Sequence, residues 1–124
     1  MNEDKRLPEA ELEIMLELWK HEGAQRTSDI LAQLDNGWTL STLKVLLGRL
    51  VEREYIECTR DGRLMSYRAK VSEESYRRRE TNGLLSKYYK GSAKSLVAAL
   101  AMDDGLTQKD LAEIANMLKA KEAK

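Results

Sequence analysis

Phenylalanine is absent from this chain, and cysteine, proline and histidine occur once each. Each scarcity excludes something. Without Phe, a core is expected to come from Leu, Ile, Val, Met and the two Trp, which favours packed helices over a sandwich. A single cysteine, Cys58, excludes an intramolecular disulfide and any multi-cysteine metal site, and suits a reducing cytoplasm. No apolar run approaches the roughly 18 residues a membrane span needs, and mean hydropathy is −0.58. The charged N-terminus does not read as a signal peptide. No Gly-rich phosphate loop occurs. His21, between Lys20 and Glu22 at a helix end, reads as solvated, and Cys58, beside Glu57 in an expected strand, reads as structural. An enzyme is therefore not expected, nor a cofactor, a metal or a small-molecule substrate.

What is present is a cytoplasmic-type chain of 124 residues, room for one ordinary domain or a small domain with an oligomerisation appendage. Net charge is zero, but it is unevenly spread. Residues 1–35 hold four Lys or Arg against nine Asp or Glu, residues 36–71 seven against four, and residues 72–124 ten against eight. The positive excess gathers on the middle segment.

That segment contains the most informative stretch, Trp38 to Glu54. On a helix, Leu43, Leu46, Leu47 and Leu50 fall at i, i+3, i+4 and i+7, one buried stripe. The opposite side carries Ser41, Thr42, Val45, Gly48 and Arg49. A solvated face normally mixes charges, and a mid-helix glycine costs roughly 1 kcal/mol against alanine. A smooth face containing a glycine points to close approach by a partner, and the DNA major groove is wide enough to admit one helix.

Around this stretch the order of elements is consistent with that reading. Leu7-Pro8-Glu9 opens a first helix with proline at its first position, and Leu7, Ala10, Ile14, Met15, Leu18 and Trp19 form its stripe. Glu9, Glu13 and Glu17 are expected on its solvated face, and Gly23 is expected to end it. Thr27 is expected to cap a short second helix, Ser28 to Leu34, burying Ile30, Leu31 and Leu34. Asp35-Asn36-Gly37 breaks it, Trp38 packs over the corner, and Thr39 or Ser41 caps the third helix. This is a helix-turn-helix arrangement. Tyr55 to Arg60 and Leu64 to Ala69 then read as two strands of a hairpin turning at Asp61-Gly62, a wing with Arg60 and Arg63 flanking its tip. Ser72-Glu73-Glu74 caps a further helix. Its Arg77-Arg78-Arg79 run is read first as a solvated face, with contact to DNA backbone as the alternative. Leu84, Leu85, Tyr88 and Tyr89 make an apolar patch, a helix from Ala93 to Met102 carries Leu96, Val97 and Leu100, and Thr107-x-x-Asp110 opens a last helix with Leu111, Ile114, Ala115 and Leu118. Three short amphipathic helices bury little alone, so pairing with the same segment of a second chain is expected.

Glu11-Leu12-Glu13-Ile14-Met15 with Trp19, then Trp38, Thr42-Leu43 and Arg49-Leu50, then Gly62-Arg63 and Tyr67, in this order and spacing, resemble the penicillinase-repressor (BlaI/MecI/CopY) family of bacterial transcriptional repressors. The resemblance is strongest over residues 7–71 and includes Lys94-Ser95-Leu96-Val97. It implies a mainly α fold: a winged helix-turn-helix domain over 1–71, then a small helical dimerisation domain over 72–124. It also implies a homodimer on a palindromic DNA operator of resistance or metal-homeostasis genes, contacting DNA at the positions of Ser41, Thr42, Val45 and Arg49. With Lys44, Arg60 and Arg63 these are the candidate DNA contacts. In many members a membrane-bound sensor protease triggers a cut in the dimerisation domain, and the usual Asn-Phe pair aligns with Ala99-Leu100. Other departures are Val45 for a threonine, which turns a hydrogen-bonding contact into an apolar one such as a thymine methyl accepts, Glu54 for a glycine, Leu12 for a frequent Trp, and Ala69 for a proline. The C-terminal cysteine cluster of the copper-responsive branch has no counterpart. The competing reading is a winged helix used as a protein-interaction module, suggested by the neutral net charge and the acidic first helix.

Overall fold

The computed structural model describes residues 6–122. The reading of the charged N-terminus rests in part on residues 1–5, which lie outside the described residues. The elements run α1 (Glu9–Leu18), β1 (Gln25–Arg26), α2 (Thr27–Leu34), α3 (Leu40–Glu52), β2 (Ile56–Asp61), β3 (Leu64–Ala69), α4 (Glu73–Tyr89), α5 (Ala93–Met102) and α6 (Gln108–Glu122). The chain divides between Glu80 and Thr81 into two compact units.

In the first unit, α1, α2 and α3 pack on one another and on a three-stranded antiparallel sheet of order β1-β3-β2. Ile14, Met15 and Leu18 of α1, Ile30 of α2, and Leu43, Leu47 and Leu50 of α3 meet Tyr55, Ile56 and Tyr67 in one core. The leucine stripe of α3 is thus buried as its spacing predicts. The sheet is a hairpin in which Ile56 faces Ala69 and Asp61 faces Leu64, with the two-residue β1 added through Gln25–Tyr67 and Arg26–Ser66. A strand this short leaves no alternation to detect, and the sequence reading passed over it.

Several local expectations are corrected. The hairpin turns at Gly62-Arg63, because Asp61 is the last paired residue and Gly62 takes φ +66° at the first loop position. Helix α1 stops at Leu18 rather than at Gly23. Trp19 anchors its end by donating Nε1–H to the carbonyl of Val71 at 2.8 Å, and His21 N–H closes a tight turn onto Leu18 O at 3.1 Å. Glu17 does not lie on a solvated face. It is 8% exposed, with Lys20 Nζ at 3.3 Å and His21 Nε2 at 3.2 Å from its carboxylate. His21 is correspondingly half-buried, and its Nε2 also lies 3.1 Å from Gln33 Oε1. Thr27 is inside α2, and Arg26 holds the cap position. Glu11, 2% exposed, accepts a hydrogen bond from Arg53 Nη1 at 3.1 Å and so ties α1 to the end of α3.

The first turns of α4 belong to this unit. Tyr76 is buried, its hydroxyl accepts from Leu7 N–H at 3.1 Å, and its ring stacks at a tilt on Trp19 with centroids 5.6 Å apart. The arginine triplet is only partly a solvated face. Arg77 and Arg78 pair with Glu73 and Glu74 one turn back, whereas Arg79 turns inward, donates Nη2–H to Tyr55 Oη at 2.8 Å and lies over the rings of Tyr55 and Tyr76. Burial pushes the Tyr55 phenol up from its ordinary pKa, so it stays neutral beside the guanidinium.

In the second unit, Ser92 Oγ accepts from Ser95 N–H at 3.1 Å at the start of α5. Thr107 and Asp110 exchange two 3.0 Å bonds at the start of α6, the reciprocal box that their spacing predicts. Neither α5 nor α6 contains a buried residue.

Candidate nucleic-acid interface

The turn into α3 is built by its polar residues. Asp35 and Gly37 both take positive φ, +42° and +84°, and Asn36 Oδ1 accepts from Trp38 N–H at 3.1 Å. Asn36 Nδ2–H donates to Glu13 Oε1 at 3.1 Å, which fixes the corner to α1. Trp38 packs half-buried against the core. Thr39 is the N-cap: its Oγ1 accepts from Thr42 N–H at 3.2 Å and donates to Thr42 Oγ1 at 3.1 Å.

From this start, Ser41, Thr42, Lys44, Val45, Gly48 and Arg49 are all exposed, on the side away from the leucine stripe. Val45 stands at the centre of that face. Its neighbours at three and four residues are Ser41, Thr42, Gly48 and Arg49, three of them too short to cover it, and Val45 is 55% exposed. A Cβ added at Gly48 would meet nothing within 4 Å, so no internal packing requires glycine there.

The cations sort into two groups. Within residues 6–80, Arg6, Lys20, Arg53, Arg68, Lys70, Arg77 and Arg78 form ion pairs, and Arg79 is held by Tyr55. Lys44 and Arg49 on α3, and Arg60 and Arg63 on the wing, are exposed, and none of the four forms an ion pair among the described residues. A carboxylate partner would have neutralised them locally; without one their field is directed outward. Arg26, exposed at the junction of β1 and α2, is a fifth such cation that sequence reasoning did not single out. No pattern marks it, since a lone arginine before a helix resembles any surface residue.

The end of α3 sets the start of the wing. Tyr55 N–H bonds to Leu50 O and Glu54 N–H to Val51 O, both at 3.0 Å, while Glu54 takes φ +68°. These are the two bonds of a Schellman motif, with Glu54 at the left-handed position that glycine usually fills. The Glu54 carboxylate pairs with Lys70 across the base of the wing. That ammonium holds the carboxyl below its ordinary pKa, and the carboxylate raises the lysine in return.

Three helices backed by a small sheet, with the third helix presented outward and a hairpin directly after it, define a winged helix-turn-helix protein. Residues 7–120 match the penicillinase repressor family, and this chain belongs to it. It is 25% identical over 120 residues to a penicillinase repressor of Bacillus licheniformis, across 95% of this chain and 93% of that one. It is 26% identical over 121 residues to the methicillin resistance regulatory protein MecI of Staphylococcus aureus, across 97% and 98%. The solution structure of the DNA-binding domain of the repressor BlaI is similar with a TM-score of 0.53 at 27% identity, covering 61% of this chain and 94% of that one.

Among the described residues no helix is long and apolar enough to cross a membrane, and no cluster of three His, Cys, Asp or Glu side chains is placed to hold a metal ion.

Proposed function

We propose that this chain is a homodimeric, DNA-binding transcriptional repressor that occupies a palindromic operator. The observation that carries the reading is the cation sorting: within residues 6–80, four of the five basic residues left without a carboxylate or tyrosine partner, Lys44, Arg49, Arg60 and Arg63, lie on the outer face of α3 and on the wing. In the proposed complex α3 enters the major groove. Ser41 and Thr42 bond phosphates or base edges, Lys44 and Arg49 neutralise phosphate, and Arg60 and Arg63 hold the backbone beside the groove. The two third helices of a dimer read half-sites about 34 Å apart, one turn of the duplex, and the bound dimer excludes polymerase.

The second unit supplies the dimer. Leu84, Tyr88, Val97, Leu100, Leu111, Ile114 and Leu118 are exposed in the single chain, and Leu85, Tyr89 and Leu96 only half-buried. Apolar surface on this scale marks an association face. Release then follows from reduced dimer affinity. A cut between Ala99 and Leu100, inside α5, made in response to a membrane-bound sensor protease, would act in this way by severing the dimer unit. The names of the relatives point to resistance genes as targets.

The test is gel shift with genomic and random-sequence duplexes at two salt concentrations. Binding that weakens steeply with salt and prefers one sequence supports the reading. Salt-insensitive or absent binding would make α3 a protein-docking helix instead.

A further inference from the structure

Resting on the DNA-binding reading, we propose that Val45 is a specificity residue that reads the C5-methyl group of a thymine in each operator half-site, with Gly48 leaving the depression the base edge enters. Val45 is an apolar side chain at the middle of an otherwise hydroxylic and cationic face, and it is 55% exposed with nothing in its own unit to cover it. Leaving it bare gains nothing for the fold, since the core stripe lies on the other side of α3.

The occupant follows from the surroundings. Lys44 and Arg49, exposed and unpaired, flank Val45 and demand an anionic partner. The partner must therefore be polyanionic outside and carry an apolar feature within reach of the helix centre. In the major groove the thymine methyl is the one apolar group a base pair exposes, the other edges being hydrogen-bond donors and acceptors. Valine can neither donate nor accept, so a cytosine or adenine amino group opposite it would lose a partner, while a methyl would gain contact. Gly48, one turn on, has open space where a Cβ would stand, so the base edge can sit closer to the helix than any other residue would allow.

The experiment begins with selection of bound sites from a random-sequence duplex library by the full-length protein. The enriched site is then synthesised with uracil in place of thymine, one position at a time, which removes only the methyl. One position per half-site is expected to weaken wild-type binding about fourfold, and both together about fifteenfold, the equivalent of one buried methylene each. The Val45→Ala protein, whose exposed position leaves the core untouched, is expected to bind the thymine and uracil forms equally. A library with no enriched sequence overturns the operator-binding reading and this proposal with it. An enriched site whose uracil forms all bind like the parent, or whose uracil penalty persists in Val45→Ala, overturns the methyl contact alone.

Discussion

At Glu54 the backbone adopts a left-handed conformation that costs a non-glycine residue about 1–2 kcal/mol. The residue is held by its two helix-closing bonds and by Lys70. Glu54→Gly should raise stability by less than about 1 kcal/mol in urea titration, the relief of strain being partly offset by the greater freedom of glycine in the unfolded chain and by loss of the Lys70 pair. Glu54→Gln keeps the strain and removes only the charge. Because Lys70 lowers the folded carboxyl pKa, the pair's contribution is complete above the ordinary carboxylate range and is lost as pH falls through the lowered value. Lys70 is raised, so on the alkaline side the same contribution is lost as pH climbs through the raised lysine value. Wild type and Glu54→Gln should therefore differ near neutrality and converge in acid. Both side chains are exposed, so added salt should shrink the difference. Curves that stay parallel into acid would remove the pair from the account.

Two other single residues separate stability from binding. Gly48→Ala should stabilise α3 by about 1 kcal/mol, since the added methyl meets nothing and alanine is the better helix former. The same change should weaken operator binding, because the methyl fills space left for the base edge. Stability and affinity moving in the same direction would contradict that role. Arg63→Ala, at the wing turn, should weaken binding to all duplexes alike and lower the slope of log K against log salt by about 0.9, one phosphate's share. An unchanged slope would take the wing tip out of the interface.

At the scale of elements, the legible parts were those with strong periodicity or an unambiguous cap. The leucine stripe of α3, the hairpin strands, Thr39 as one of two candidate caps and the Thr107–Asp110 box were all written in local spacing. Helix ends were mostly legible too, α2 stopping at Leu34 and α5 at Met102 as their sequences predict, and the exception is an end expected at a glycine, the usual signal. Gly23, which carries that signal, ends nothing. Tyr76 and Arg79 were illegible for a different reason. Their partners, Leu7, Trp19 and Tyr55, are distant in sequence, and an arginine triplet gives no hint that its last member turns inward. Those contacts make the start of α4 a strut of the winged-helix unit. Tyr76→Phe leaves the buried Leu7 N–H without its acceptor and should cost about 1–3 kcal/mol by urea denaturation. An unchanged midpoint would mean that water satisfies the amide and that the strut rests on ring packing alone. Arg53→Met should cost about 2 kcal/mol, less than the 3–5 typical of a fully buried pair, because Arg53 is 28% exposed although Glu11 is not.

For the molecule as a whole, the proposed function requires two weak half-site contacts to become one tight one. A single α3 with a handful of phosphate contacts binds modestly, whereas linking two makes the second engagement intramolecular and raises affinity by about 10²–10⁴ without any new contact. The proposed reading assigns that link to the second unit, because α5 and α6 contain no fully buried residue within one chain and α6 leaves Leu111, Ile114 and Leu118 open to solvent. Ile114→Glu places a charge in the middle of that stripe without touching the winged-helix unit. Sedimentation equilibrium should show the wild type as a dimer at micromolar concentration and the variant as a monomer, with operator affinity reduced by at least about a hundredfold. A chain ending at Glu80 should behave as the variant does, and it retains Tyr76 and Arg79, so its winged-helix unit keeps its internal contacts. The two changes report on the same link by independent routes. If either protein still bound the full palindrome as tightly as wild type, the half-sites would be joined by some surface of the winged-helix unit itself, and the exposed leucines of α6 would need another partner.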